Sequence, residues 1–172
     1  MGILKVAVLG LGPSVKLFNP NDFDISIGVN DIFRYFQTDA IVCLDYERSF
    51  TSDRLKIIKE STPKKLYSQI ANWDYLPNFE YIKILPGYPD KKINLSLDGY
   101  WKSFCSPFVA AQVAFKIYHA NEIHLFGVDL INHPRLDKTI SLKIRDHFQI
   151  LEQELLKYDV QLIVHGDGLL KK

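Results

Sequence analysis

The N-terminal segment places the strongest constraint on the fold of this chain. An apolar, largely β-branched run from Ile3 to Leu9 ends abruptly in Gly10-Leu11-Gly12-Pro13-Ser14, which we call the glycine turn. A run that is apolar at nearly every position, rather than at alternate ones, is typical of a strand buried on both faces. Such strands belong to parallel sheets that are covered by helices. The segment therefore predicts an α/β protein.

The rest of the chain repeats this alternation of strands and helices. Short apolar runs that end in polar residues predict further strands, and amphipathic or alanine-rich stretches predict helices between them. We predict a single Rossmann-like domain over residues 1–172, with a mostly parallel sheet and helices on both faces. The predicted strands are 3–9, 24–30, 39–45, 65–67, 81–85, 122–129 and 160–164, the predicted helices are 51–61, 106–119 and 141–158, and 86–102 is a long loop.

Composition narrows the classes of function. The chain has 21 basic and 20 acidic residues and a net charge of +1, so it lacks the basic excess by which general nucleic-acid binders meet phosphates. No apolar run approaches the roughly 20 residues that span a bilayer, and the start of the chain lacks a signal-peptide pattern. The two cysteines are too few for a disulfide framework or a structural zinc site. We expect a cytoplasmic protein with no nucleic-acid partner and no membrane span.

The glycine turn is the first candidate binding element, because ligands of parallel α/β sheets bind beyond the carboxyl ends of the strands. Gly10 and Gly12 allow the backbone to approach a phosphate, and Pro13 and Ser14 follow them. A valine at Gly12 is then expected to abolish binding without unfolding the protein. A tight turn without a ligand is the alternative, because Val15 stands where the dinucleotide fingerprint has its third glycine.

The next two strand ends carry polar side chains. Asn30 can read a base edge or a ribose, since its amide both donates and accepts hydrogen bonds. The alternative is a plain turn residue, a common role of asparagine. Asp45 can hold a ribose or a metal, or cap the residues that follow it. No set of residues has the close His/Cys spacing of a zinc site, and we predict no metal.

Two further segments complete the candidate site. Ser103 and Ser106 lie at the start of the alanine-rich helix, where hydroxyl and free N–H groups can bind an anion or simply cap the helix. Asp129 ends the strong 122–129 strand, and the loop beyond it offers His133 as an acid or base and Arg135 as a phosphate-binding cation. A solvated loop is the alternative there.

The remaining histidines are weaker candidates. His147 follows Asp146 on the last helix and is expected at the surface. His124 alternates within a predicted strand, and His119 ends a helix, where a cation suits the helix dipole. His165 follows the last strand on the same side of the sheet as the other candidates, which makes it a minor catalytic candidate.

The order of these motifs resembles a known superfamily. Gly-x-Gly-Pro-Ser after the first strand, Val-Asn at the second strand end, a small-residue helix opened by Ser-Pro, and Glu-Ile-His-Leu-Phe-Gly-Val-Asp follow one another between residues 3 and 129. This order resembles the Rossmann-like superfamily of bacterial CMP-sugar sialyltransferases and archaeal hydroxymethylpterin pyrophosphokinase-like proteins. It is similar as well to short phage-encoded proteins described as glycosyltransferases.

The resemblance implies that the ligand is a nucleotide or nucleotide-sugar, with a CMP-sugar-type donor and no required cofactor. In those sialyltransferases a long lid-like insertion precedes the catalytic histidine, and this chain has only about a dozen residues there. By resemblance, the nucleotide contacts are Gly10, Gly12, Pro13, Ser14 and Asn30, the phosphate or sugar contacts are Ser103 and Ser106, and the general base on the acceptor hydroxyl is His133.

Two other functions remain open at this point. One is a non-catalytic nucleotide-binding module that has kept the fold without the chemistry, which the missing lid favours. The other is a pyrophosphokinase-like enzyme that uses ATP and Mg²⁺, which requires carboxylates such as Asp45 and Asp129 to converge. The His133 and Arg135 loop favours an enzyme over a binding module.

Overall fold

The computed structural model describes residues 2–171, which form one parallel sheet covered by helices. The strands are β1 (Lys5–Leu9), β2 (Ile25–Val29), β3 (Ala40–Val42), β4 (Lys65–Ser68), β5 (Phe79–Tyr81), β6 (Glu122–Phe126) and β7 (Gln161–Val164), and the α-helices are α1 (Ser52–Glu60), α2 (Ser106–Lys116) and α3 (Lys138–Leu156). All strand pairs are parallel, in the order β5-β4-β3-β2-β1-β6-β7. The predicted α/β class with a parallel sheet is confirmed.

Each central strand is buried on both faces, which explains the continuous apolar runs. In β1, Val6 and Val8 pack into one hydrophobic cluster, while Ala7 and Leu9 pack into a second cluster on the opposite face. Helices α2 and α3 cover the first face, and α1 covers the second together with short 3₁₀ segments. No helix within residues 2–171 is long and apolar enough to cross a membrane.

The parallel arrangement places the ends of all strands at one edge of the sheet, which we call the carboxyl edge. The chain moves outward from β1 through β5, crosses back through α2, and continues on the other side of β1 with β6 and β7. The strand order therefore switches direction between β1 and β6. Helix α2 ends near the opposite edge, where the Asn121 N–H donates to the Leu4 carbonyl. Its N-terminus accordingly lies at the carboxyl edge.

The predicted fifth strand is displaced in the structure, and the ends of several other predicted elements differ by up to three residues. The fifth strand covers Phe79–Tyr81 instead of 81–85, because pairing with β4 begins where the Leu66 N–H donates to the Asn78 carbonyl. Beyond it, Ile84 forms only an isolated bridge with Tyr100. The long loop predicted over 86–102 contains no helix or ladder strand, in agreement with its glycines and prolines.

Candidate functional site

The glycine turn lies at the switch between β1 and β6 and is bonded to the residues that follow β6. The Gly12 N–H donates to the Gly127 carbonyl at 2.8 Å, and the Gly127 N–H donates to the Ser14 hydroxyl at 2.8 Å. The Ser14 N–H donates to Asp129 Oδ2 at 2.9 Å. The structure thus brings together three predicted site residues: Gly12, Ser14 and Asp129.

The Asp129 carboxylate accepts the hydrogen bond from the Ser14 N–H, the group that the glycine turn would otherwise donate to an anion. A Cβ atom on Gly12 would overlap Asp129 Oδ2 and lie 2.8 Å from the Gly127 carbonyl oxygen. Gly166, with a φ of +91°, packs against Ser14 and Asp129. A phosphate can reach the Ser14 N–H only after the carboxylate moves, whereas Pro13 on the same turn is exposed.

Asn30 follows β2 directly at the carboxyl edge. Its backbone is left-handed, with a φ of +50°, a conformation that asparagine adopts more readily than most residues. The backbone N–H donates to the Val42 carbonyl at 3.2 Å. Its side-chain Oδ1 is buried and has no hydrogen-bond partner. Every other buried side-chain polar atom of residues 2–171 has one. Buried polar groups are nearly always paired, so this atom requires an explanation.

A charged cluster next to Asn30 supports the same strand end. Asp31 is buried, and its Oδ1 accepts hydrogen bonds from Arg54 Nε at 2.9 Å and Nη2 at 2.7 Å. Arg34 Nε lies 3.4 Å from the other carboxylate oxygen, and Arg34 Nη2 bonds to Asp53. These contacts fix the chain immediately after Asn30.

Asp45 is at the carboxyl edge as predicted, but it does not cap the next segment. Its side chain is exposed, its carbonyl accepts the indole N–H of Trp73, and Tyr46 is the N-cap residue of the following 3₁₀ turn. Three strand spacings, about 14 Å, separate the ends of β3 and β6, so Asp45 and Asp129 do not converge. Among the described residues, no three His, Cys, Asp or Glu side chains are grouped to hold a metal ion.

Ser103 and Ser106 flank the start of α2, where Cys105 is the N-cap residue without a side-chain cap bond. Ser106 is half-buried as the first residue of the helix. Ser103 instead turns toward α3, where its hydroxyl lies 2.8 Å from His147 Nδ1. Burial raises the pKa of the Cys105 thiol to about 12, so this cysteine is not a thiolate nucleophile at neutral pH.

The prediction that His147 lies at the surface is wrong, because its side chain is almost fully buried. It lies between Ile144 and Leu151 on the apolar face of α3 and near the parallel rings of Tyr88 and Phe104. The spacing of three and four residues from Ile144 and Leu151 is a sequence signal that places His147 inside.

Lowering the pH is expected to reduce the free energy of unfolding. Burial, the main cause, lowers the pKa of His147, whereas in the unfolded chain the imidazole titrates near about 6.5. Between these pKa values the unfolded state binds more protons, so stability is complete above about pH 6.5 and falls as the pH drops below it. Urea unfolding at about pH 7.5 and about pH 5.5 measures the loss. The matched variant His147→Gln should lose less stability between these two pH values. An equal loss in the variant would show that other titrating groups cause the effect.

His133 and Arg135 lie in the exposed loop between β6 and α3. The Arg135 N–H donates to His133 Nδ1 at 3.0 Å, so that nitrogen is an acceptor. Partial desolvation and, second, the Arg135 charge lower the pKa of His133, which favours the neutral imidazole at pH 7. The loop is therefore chemically suited to a base, but its hydrogen bonds are local, and His133 remains a prediction.

The contact between His124 and His165 was not predicted from the sequence. His124 Nδ1 lies 2.9 Å from His165 Nε2, and His124 Nε2 lies 3.0 Å from Glu122 Oε2. Glu122 and His124 are two residues apart on β6, so the period of two residues in a strand places both on the same face. Partial burial, followed by the nearby His124, lowers the pKa of His165.

Comparison of the chain with known family models, curated proteins and solved structures gave no match. The resemblance to the sialyltransferase-containing superfamily therefore rests on the order of the motifs.

Proposed function

We propose that this protein binds a nucleotide or nucleotide-sugar at the carboxyl edge, with Asn30 as the residue that reads the base or ribose. The observation that carries this proposal is the buried Asn30 Oδ1 without a partner. Leaving a buried acceptor unpaired costs about 1–3 kcal/mol, and a ligand donor would remove that cost. Asn30 is also beside β1, close to the switch in strand order, where ligands of open α/β sheets bind.

The reaction we propose is glycosyl transfer from a CMP-sugar-type donor. The acceptor oxygen forms a bond to the sugar carbon, the bond from that carbon to the phosphate oxygen breaks, and a base takes the acceptor proton. The nucleoside monophosphate leaves with the bonding electron pair. N–H groups and cations at the carboxyl edge stabilise its negative charge. In the sequence-based assignment His133 is the base and Arg135 meets the phosphate.

A non-catalytic nucleotide-binding module is the second candidate, and one observation favours it. The Asp129 carboxylate already satisfies the Ser14 N–H, so the turn that would hold the phosphate is filled by the protein. In such a module Asn30 retains its role and no group is transferred. An ATP-dependent pyrophosphokinase is less well supported, because Asp45 and Asp129 follow strands that two others separate.

Nucleotide binding should be abolished in the variant Asn30→Gly. Glycine accepts the φ of +50° and removes only the amide, so the free protein should unfold at nearly the wild-type temperature. A ligand at 100 times its dissociation constant stabilises the wild type by about 2.7 kcal/mol, and this gain should disappear. The unfolding temperature of both proteins, measured with and without CMP, a CMP-sugar, a UDP-sugar, ATP and GTP, shows whether the gain is lost.

The matched control is Asn21→Ala, which changes an exposed asparagine in the segment between β1 and β2 and should keep the full shift. If none of the five nucleotides stabilises the wild type, the proposed function is wrong. If Asn30→Gly retains the shift, the nucleotide binds without Asn30.

A further inference from the structure

Glu122, His124 and His165 form a hydrogen-bonded chain across β6 and the end of β7. The chain runs from Glu122 Oε2 to His124 Nε2 at 3.0 Å, and from His124 Nδ1 to His165 Nε2 at 2.9 Å. Both nitrogens of His124 are engaged, and this residue is buried. The three side chains thus have the carboxylate–imidazole order that orients a base in known catalytic groups.

The carboxylate fixes the proton positions along this chain. An ionised Glu122 only accepts hydrogen bonds, so His124 carries its proton on Nε2 and its Nδ1 is an acceptor. His165 must then donate from Nε2, which leaves Nδ1 of His165 without a proton in the neutral chain. The arrangement ends in a nitrogen that is ready to accept one.

The free end of the chain lies at the carboxyl edge. The His165 ring stacks on Phe126, the last residue of β6, with ring centres 4.1 Å apart and planes inclined by 7°. The next residue, Gly166, packs directly against Ser14 of the glycine turn. His165 is half-buried, and its hydrogen bond to His124 uses Nε2, which leaves Nδ1 outside the chain.

We propose that His165 is the general base of this protein and that Glu122 and His124 are its positioning residues. This inference rests on the proposed glycosyl transfer and names the group that activates the acceptor. As the acceptor oxygen bonds to the sugar carbon and the nucleoside monophosphate departs, His165 Nδ1 takes the acceptor proton. Protonated His165 then donates a stronger hydrogen bond to His124 Nδ1, and His124 Nε2 donates to the Glu122 carboxylate.

The same geometry distinguishes His165 from His133. In His133 the Nδ1 acceptor is already bonded to the Arg135 N–H and the Arg135 charge lies beside it, whereas the Glu122 carboxylate acts on His165 through His124. Imidazolium is stabilised by a neighbouring negative charge and destabilised by a positive one. A positioned histidine of this kind contributes typically 10²- to 10⁴-fold to a rate.

The charged groups near the chain define its pH response. Lys5 of β1 lies 3.8 Å from Glu122, and Asp129 lies next to Gly166. Asp167 of the same segment is paired with Lys171 at 2.7 Å. The Asp24 carboxylate accepts the Lys5 backbone N–H at 2.8 Å, so Lys5 keeps one acidic neighbour when the Glu122 charge is removed. That removal makes His165 less basic and moves the acid limb of the rate profile to lower pH.

Nitrogen-15 NMR of the histidine rings tests the chain without any substrate. We expect neutral His165 and His124 to carry their protons on Nε2 in the wild type, and Glu122→Gln to lower the pKa of His165. Protonation of Nδ1 in neutral His165 would overturn the proposal, because that nitrogen could not then accept the acceptor proton.

Release of CMP from a CMP-sugar tests the role in catalysis. His165→Ala should reduce turnover by roughly 10²- to 10⁴-fold while the thermal shift with CMP persists. Glu122→Gln should lower kcat with an unchanged KM and shift the acid limb as stated. His119→Asn, an exposed histidine with a φ of +56° at the end of α2, is the control and should retain full activity.

The outcomes separate this inference from the proposed function. An active wild type whose turnover survives in His165→Ala, or falls further in His133→Ala, overturns His165 as the base and leaves glycosyl transfer intact. A wild type that binds CMP but releases none from a CMP-sugar overturns both the transfer and the base, and supports the binding module.

Discussion

Gly12→Val is expected to cost about 3 kcal/mol of unfolding free energy, so the variant should be strongly destabilised and should bind no ligand. A valine Cβ would overlap Asp129 Oδ2 and approach the Gly127 carbonyl oxygen to 2.8 Å. The carbonyl belongs to backbone that is held by the hydrogen bond from Gly12, and it has little room to move. This expectation replaces the one from sequence alone, in which the space beside Gly12 belonged to a phosphate.

Urea unfolding followed by circular dichroism measures this cost. Gly2→Val is the matched control, because a Cβ on Gly2 has no heavy atom within 4 Å and should change stability by less than about 0.5 kcal/mol. Wild-type stability in Gly12→Val would mean that Asp129 swings away readily. The turn would then be open to a phosphate, as the sequence predicted.

The fold was predictable because burial on both faces leaves a direct mark on a strand. In β1, consecutive apolar residues alternate between two hydrophobic clusters, and no amphipathic strand produces such a run. The position of β5 was less predictable, since its burial is incomplete and its limits depend on pairing with β4. Edge strands of this kind carry little signal of their own.

The placement of the candidate residues was predictable for the same reason, but their contacts were not. Residues that follow parallel strands must share one edge, so Gly12, Asn30 and Asp129 were expected there. That Asp129 fills the glycine turn depends on β6 pairing with β1, although 115 residues separate Asp129 from Ser14. The sequence contains no local signal of that neighbourhood.

The histidine chain shows the same limit. Glu122 and His124 share a face by strand periodicity, a signal that is present in the sequence. Their partner His165 arrives only because β7 lies beside β6, with His124 opposite Ile163 in the ladder. The contact between His124 and His165 can be inferred only once the strand order is known.

Asp31→Ala is expected to destabilise the protein by about 3 kcal/mol, because it leaves the guanidinium of Arg54 without its carboxylate. Asp31 is buried and accepts two hydrogen bonds from Arg54, at 2.9 and 2.7 Å. Arg54 is itself largely covered, with its guanidinium carbon 5.0 Å from the centre of the Phe50 ring. Water therefore replaces the lost partner incompletely. Urea unfolding measures the loss.

Two comparison variants show whether the buried ion pair causes this loss. Asp53→Ala removes an exposed carboxylate that pairs with Arg34 and accepts a hydrogen bond from the Thr51 hydroxyl, and it should cost less than about 1 kcal/mol. The double variant Asp31→Ala with Arg54→Met should recover part of the stability, because no unpaired charge remains. Equal losses in the single and double variants would contradict the ion-pair explanation.

The same variant tests how Asn30 is held for a ligand. Asp31 directly follows Asn30, so release of Asp31 should free the left-handed backbone that buries the unpaired Oδ1. We expect Asp31→Ala, studied below its unfolding temperature, to lose the nucleotide-induced thermal shift that Asp53→Ala retains. A full shift in Asp31→Ala would show that the ion pair stabilises the fold without positioning Asn30, and that β2 and β3 hold the residue through its Val42 hydrogen bond.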